Sequence, residues 1–289
     1  MKFTVFGLLL LIIILLTCLM YLHSYRLPKI AWLYWDSPTL PQTIQQMKEN
    51  TYKQLPGWTI HFLNKDTVQQ FIPTFPRNYT SLQSQAQSDW IRLYLLHTYG
   101  GLWLDAGIII NKGEAIDAIY NRSLLEASEL TVFENSKKRF THSSGQTLPL
   151  VIDSWFIMAP KGSSIVAQWL REFEEAIEIG FLNYKRKAVQ NGVNISGIHF
   201  ADETDAYLTV HICIEKILQK DLPVLPQIIL IDSNKSMFKI QNKCKWNDKC
   251  IVDTIHNDPN AKQLPFIKLT GSNRAAGLNL NQYFSKVPR

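Results

Sequence analysis

Cysteine is scarce in this chain of 289 residues: there are four, and no C-x-x-C pair stands with a second ligand pair. That leaves no zinc-finger-type centre to organise the fold. No G-x-x-x-x-G-K-[ST] loop occurs either, which disfavours a phosphate-binding NTPase. The chain has no internal repeat and no low-complexity tract, excluding a repeat array. Charge is modest. Charged residues make up 19% against 46% hydrophobic ones, the balance of an ordered globular protein and not of a disordered chain. Acidic residues number 24 against 30 Lys plus Arg, and the net charge of +6 suits a phosphate-bearing substrate or an anionic membrane surface. The basic triplets Lys137-Lys138-Arg139 and Lys185-Arg186-Lys187 lack a surrounding recognition motif, so they read as solvated surface and no nucleic-acid partner is expected.

One long apolar run is present. Residues 3–22 are enough to cross a hydrocarbon core of about 30 Å as a helix. The run exceeds the apolar region of a usual signal peptide and no small-x-small site follows it, so it reads as an uncleaved transmembrane signal anchor. Lys2 precedes it while Arg26 and Lys29 follow it, and this near balance leaves orientation undecided by charge. The expected organisation is a tail at residues 1–2, the anchor at 3–22, a polar stem at 23–28 and a domain over 29–289, long enough to bury a sizeable core. Cys18 falls in the anchor. Cys244 and Cys250 flank the loop KWNDK and would close a disulfide in an oxidising lumen, with Cys213 buried and free; three reduced thiols in a cytosolic domain are the alternative. N-x-[ST] sequons stand at Asn78, Asn121 and Asn194 and favour the lumen slightly.

The chemistry concentrates in residues 83–110, QSQAQSDWIRLYLLHTYGGLWLDAGIII. Ala86, Trp90, Leu93 and Tyr94 recur at helical spacing, predicting an amphipathic helix over 85–98. Tyr99-Gly100-Gly101 ends it, since glycine accepts backbone angles that other residues resist. The chain then turns into a buried strand over 102–105. Asp89 and Arg92 lie three apart on one helix face, and Asp105 stands where the strand runs out. A carboxylate at the carboxyl end of a strand is where open α/β sheets bind ligands. The alternative for Asp89 and Arg92 is a helix-surface ion pair.

The string SDxxRxxxLxxYGGxWxDA in this stretch resembles that of the capsular-polysaccharide-synthesis type of glycosyltransferases, relatives of the DxD-containing sugar transferases. The resemblance covers about residues 28–270, its specific motif only the central stretch. It implies a GT-A-like, Rossmann-like fold with a mixed, mainly parallel sheet flanked by helices. It also implies retaining transfer of a sugar from a nucleotide-sugar donor to a glycan, polysaccharide or glycolipid acceptor. In that wider group the helix Asp and Arg hold ribose and the transferred sugar, the first Asp of DxD binds their hydroxyls, and the last ligates a divalent metal. Asp89, Arg92 and Asp105 match these positions. The last position is Gly107, where the nearest relatives tend to have Thr and the wider group Asp. Mn2+ or Mg2+ at Asp105 is therefore the expected cofactor, but with its third-position ligand missing. That gap also supports an alternative: a catalytically inactive protein of the same fold that binds sugar nucleotide or carbohydrate. By analogy with secretory-pathway transferases, the expected placement is single-pass type II, facing the Golgi or ER lumen in a eukaryote.

Elsewhere, residues 29–35 predict a first strand, 41–53 a helix and 58–63 a second strand, together a βαβ unit with a parallel pair. The resemblance brings Trp35, at the first strand's end, near the nucleotide base; core packing is its alternative. Residues 108–110 are expected to continue the sheet, with a strand at 130–134, a polar loop at 135–146 and a helix at 165–179 capped near Ser163. The segment IDSWFIMA resembles one near donor sugar and acceptor in the family. It nominates Ser154 for the donor and Asp153 for positioning the acceptor or stabilising positive charge, against a turn-capping role. A helix is expected from Thr204 to Leu218, carrying His211 at a position where relatives also have His; a packing role is its alternative. A late strand is predicted over 224–231. Lys268, in a segment resembling the family's ending, is a candidate partner for the leaving diphosphate, and otherwise a surface lysine.

Overall fold

The computed structural model describes residues 7, 27–202, 204–220, 226–276 and 278–285. The expected membrane helix, with Cys18 and most of the stem, lies outside the described residues. Among the described residues no helix is long and apolar enough to cross a membrane.

The apolar runs IAWLY and TIHFL become parallel neighbours β1 (Ile30–Tyr34) and β2 (Thr59–Leu63), joined through helix α1 (Gln42–Gln54) as a βαβ unit. Next come α2 (Ser84–Tyr99), β3 (Gly101–Leu104), β4 (Ile108–Ile110), α3 (Gly113–Leu125), β5 (Leu130–Glu134), a hairpin of β6 (Arg139–Thr141) and β7 (Thr147–Pro149), and β8 (Ile152–Ala159). The chain continues through α4 (Ser164–Ile179), α5 (Phe181–Gln190), α6 (Thr209–Leu218), β9 (Ile228–Asp232), α7 (Lys239–Lys243), α8 (Asp248–Asn257), β10 (Phe266–Lys268), α9 (Gly271–Ala275) and α10 (Leu280–Ser285). The main sheet has the order β2-β1-β3-β8-β5-β9. Its pairings are parallel except where β8 meets β3 and β5. This is the mixed, mainly parallel sheet with flanking helices that the sequence implied. Every residue of β8 is buried, as befits a central strand covered on both faces.

The double glycine fixes how α2 enters the sheet. Gly100 and Gly101 have φ of 73° and 104°, angles that side chains strain to reach. Space forbids a side chain as well. A Cβ on Gly100 would lie 2.4 Å from the Lys161 nitrogen, and one on Gly101 2.5 Å from the Ile30 carbonyl oxygen. The Gly100 carbonyl also accepts a 2.9 Å bond from Trp32 Nε1, tying the turn to β1. Helix α2 buries Trp90, Ile91, Leu93, Leu95 and Leu96, so its apolar surface wraps further round than a single stripe.

Three expectations needed correction. Residues 108–110 do not continue the main sheet. β3 is already flanked by β1 and β8, and the turn closed by Ile108 N on the Asp105 carbonyl sends β4 to pair antiparallel with β10. The helix expected from Thr204 begins only at Thr209. The Asp202 carboxylate accepts from Thr204 N, Thr204 Oγ1 and Asp205 N at 2.7, 2.6 and 3.0 Å, holding Thr204 in a side-chain-closed turn instead of a cap. The expected loop at 135–146 contains β6, paired with β7. Ser163 does cap α4, its hydroxyl accepting from Val166 N at 3.3 Å.

Candidate active site

A cleft of about 670 Å³ opens over the carboxyl ends of β1, β3 and β5, and its walls include Trp35, Asp105 and Asn135 from those ends. That volume suits a drug-sized or nucleotide-sized ligand. Because β8 runs opposite to its neighbours, its first residues, not its last, arrive at the same edge. The register Leu104 to Phe156 thus brings Asp153 and Ser154 beside Asp105, and Asp105 N donates to the Trp155 carbonyl at 2.9 Å. Helix α2 supplies Asp89 and Arg92, and α6 supplies His211.

Arg92 is the hub. Its Nη1 lies 2.5 Å from Asp89 Oδ1 and donates to Ser154 Oγ at 2.6 Å, while Nη2 donates to Asp105 Oδ1 at 3.2 Å. The guanidinium also sits 5.1 Å from the Trp103 ring centre. Asp105 Oδ1 accepts a second bond, from Trp103 Nε1 at 3.0 Å, and its Oδ2 accepts from Lys268 Nζ at 2.7 Å. The three residues singled out in the central stretch therefore meet, and Lys268 and Ser154 join them. Arg92 and Asp89 are buried, with side chains 5% and 2% exposed, so this is no surface ion pair. Losing one partner there would leave an uncompensated buried charge.

Burial dominates the protonation of these groups. It pushes Asp89 up to about 6 despite Arg92. Burial also works to raise Asp105, but the charges of Lys268 and Arg92 outweigh it and hold that carboxyl below its ordinary value. Asp153 is raised to about 7, chiefly by burial and further by the nearby Glu134 charge, and its Oδ2 has no hydrogen-bond partner. Asp153 is thus a buried acid facing the cleft and not a turn cap. His211 is lowered to about 4 by burial, so it is neutral at pH 7. Its Nδ1 donates to the Ile152 carbonyl at 2.7 Å, a packing contact that orients the ring. Lys268 is lowered by burial against the pull of Asp105. Trp35 is half-buried on the cleft wall and packs its other side against the hydrophobic core.

Three further cleft residues carried no local signal strong enough to nominate them. Arg274, on the short helix α9, places its guanidinium 5.6 Å from the Trp35 ring centre and donates from Nη1 to the Leu269 carbonyl at 3.0 Å. Tyr207, 58% exposed, and Trp246, 47% exposed, present large aromatic surfaces to the cleft. Trp246 sits inside the loop closed by the Cys244–Cys250 disulfide, with φ of 62°, and packs on Phe238 at 5.2 Å between ring centres. Free Cys213 is buried, as expected. The flanking cysteines were the signal for this loop, but not for its direction.

The residues do not fit a divalent cation at the position the DxD pattern gives it. Both Asp105 oxygens are engaged by cationic donors, and Gly107 offers no oxygen ligand from a side chain. A Cβ added at Gly107 would meet Arg274 Nη1 at 2.6 Å and the Leu269 carbonyl oxygen at 2.9 Å. Among the described residues no group of three His, Cys, Asp or Glu side chains is arranged to hold a metal.

Sequence relationships define the class of the chain that carries this assembly of helix and strand carboxylates around one arginine. Residues 22–177, just over half of the chain, match the family described as capsular polysaccharide synthesis protein, and the chain belongs to that family. It is 24% identical over 193 residues to the O-glycosyltransferase braB of Annulohypoxylon truncatum, a match covering 61% of this chain and 41% of that protein. It is 30% identical over 155 residues to the glycosyltransferase afumC of Aspergillus fumigatus, covering 48% and 38%. The chain thus spans about two fifths of the length of these curated relatives. A solved glycosyltransferase involved in the glycosylation of the major capsid of PBCV-1 superposes with a TM-score of 0.42 at 15% identity, covering 86% of this chain and 96% of that one.

Proposed function

We propose that this chain is a GT-A-type glycosyltransferase that moves a sugar from a nucleotide-sugar donor to a glycan, polysaccharide or glycolipid acceptor with retention at the anomeric carbon. The observation that carries this is the meeting of Asp89, Arg92 and Asp105 in one cleft at the carboxyl edge of the sheet. Membership of the family and the glycosyltransferase relatives support the reading. Sugar and ribose hydroxyls need fixed acceptors, and Asp89 and Asp105 supply carboxylate oxygens whose positions Arg92 locks. The departing diphosphate needs positive charge, which Lys268 and Arg274 supply. Trp35 offers a ring for the base.

In the proposed step the bond from the anomeric carbon to the phosphate oxygen breaks and its electron pair leaves with the diphosphate. The acceptor oxygen bonds to the same face of that carbon. Its proton passes to the departing phosphate oxygen. Asp153, protonated for a large part of the time near pH 7, can donate a hydrogen bond to the acceptor, while Tyr207 and Trp246 give a sugar ring apolar faces at the mouth. The rival reading, a binding protein without turnover, rests on the missing third acid.

The decisive experiment screens UDP- and GDP-sugars for thermal stabilisation of the chain and then for transfer or hydrolysis, since a ligand that binds only the folded state raises the melting point. Stabilisation by one donor with turnover is the expected result. Binding without turnover would favour the rival, and no binding by any donor would refute the transferase reading and leave the rival only as a carbohydrate binder. We further propose type II anchoring through residues 3–22 with the domain in an oxidising lumen. The Cys244–Cys250 disulfide supports this, as does the exposure of the four asparagines in N-x-[ST] sequons, Asn78, Asn121, Asn194 and Asn234.

A further inference from the structure

In the DxD pattern a carboxylate follows two residues after Asp105 and shares a metal with the donor diphosphate; here the space of that side chain is taken by a cation. A Cβ at Gly107 would lie 2.6 Å from Arg274 Nη1, so glycine at this position is what lets the guanidinium sit beside Asp105. The need is for space, because Gly107 is not among the positive-φ glycines.

Charge points the same way. Asp105 is shared between Arg92 and Lys268, and Arg92 also serves Asp89. Among the described residues Arg274 forms no ion pair; it rests on the Leu269 carbonyl and against Trp35, with part of its surface open to the cleft. A guanidinium held by a carbonyl and a ring face keeps donors free for an anion, and its planar fork matches phosphate oxygens. Lys268 Nζ, 2.7 Å from Asp105 Oδ2, provides a second charge next to it. A divalent ion brought to this place would meet two cations and a single carboxylate, Asp105, that already serves Lys268 and Arg92.

We infer that Arg274, seated in the space left by Gly107, and Lys268 hold the donor diphosphate in place of a divalent metal, so that donor binding and transfer proceed without one. The inference rests on the nucleotide-sugar reading above. It assigns Arg274, which lies beyond the residues matched to the family, to contact with the substrate.

The test uses the full chain and four probes, UDP, UMP, GDP and GMP, titrated by calorimetry in EDTA and again with MnCl2. One nucleoside diphosphate is expected to bind equally well in both conditions and more tightly than its monophosphate. Arg274→Ala should weaken the diphosphate roughly 10- to 100-fold, the effect of one charge-assisted contact, while the monophosphate keeps its affinity and so reports an intact fold. Arg274→Lys should retain part of the difference. Gly107→Ala, which displaces the guanidinium without removing its charge, should reproduce the loss. Diphosphate binding that appears only with MnCl2 would overturn the inference while leaving the transferase reading standing, as would wild-type affinity in both Arg274→Ala and Gly107→Ala. Absence of binding by all four probes in both conditions would remove the donor reading, and this inference with it.

Discussion

Asp153→Asn gives the sharpest physical test of the site. Asp153 is buried in the cleft wall and its carboxyl is raised from the usual 3.8 to about 7 by burial. An acid whose folded value lies above its unfolded value binds more protons in the folded state between those two values, so it costs stability progressively as pH rises from about 4 to 7. The full displacement corresponds to ~4 kcal/mol, of which roughly 2–3 kcal/mol develops between pH 5 and pH 8. Asparagine removes the titration while keeping the shape. Thermal melts of wild type and variant across this range should therefore diverge, the variant gaining on the wild type by roughly 4–6 °C between pH 5 and pH 8. Asp89, raised to about 6, and Glu215, raised to about 8, contribute the same trend to both proteins and cancel in the comparison. A constant offset between the two melting curves at every pH would refute the reasoning, because it would mean that Asp153 does not take up a proton in the folded state.

Asp105→Asn should abolish transfer while the protein stays folded, because the amide loses the charge that Arg92 and Lys268 share; wild-type turnover in this variant would rule out the proposed role. Trp246→Ala should raise the acceptor KM by about tenfold with donor affinity unchanged, as expected for a lost aromatic face at the mouth, and an unchanged acceptor KM would remove Trp246 from the acceptor wall. Expression through a secretory pathway should yield N-linked glycan on Asn78, Asn121, Asn194 or Asn234. Peptide N-glycosidase would then increase gel mobility, and a mobility that does not change would count against the lumenal placement.

Much of the site was legible because its parts are local. A helix face carries Asp89 and Arg92 three residues apart, and two glycines turn that helix into a strand ending at Asp105, all within seventeen residues. Spacing along one helix and one turn fixes direction without help from the rest of the chain. The departures came where a residue's place depends on distant chain: residues 108–110 found a partner in β10, and a carboxylate at Asp202 displaced the start of α6.

By itself, then, the sequence determined the βαβ start, the glycine-turned helix and strand and the disulfide-spaced cysteines, since each follows from periodicity, backbone freedom or short-range spacing. Only the tertiary structure decided that Lys268 would cap Asp105 across 163 positions, that Arg274 would fill the space beside Gly107, and that Trp246 would turn toward the cleft. Those contacts join segments far apart in the chain, and their geometry is set by how strands and helices pack, which no local pattern records.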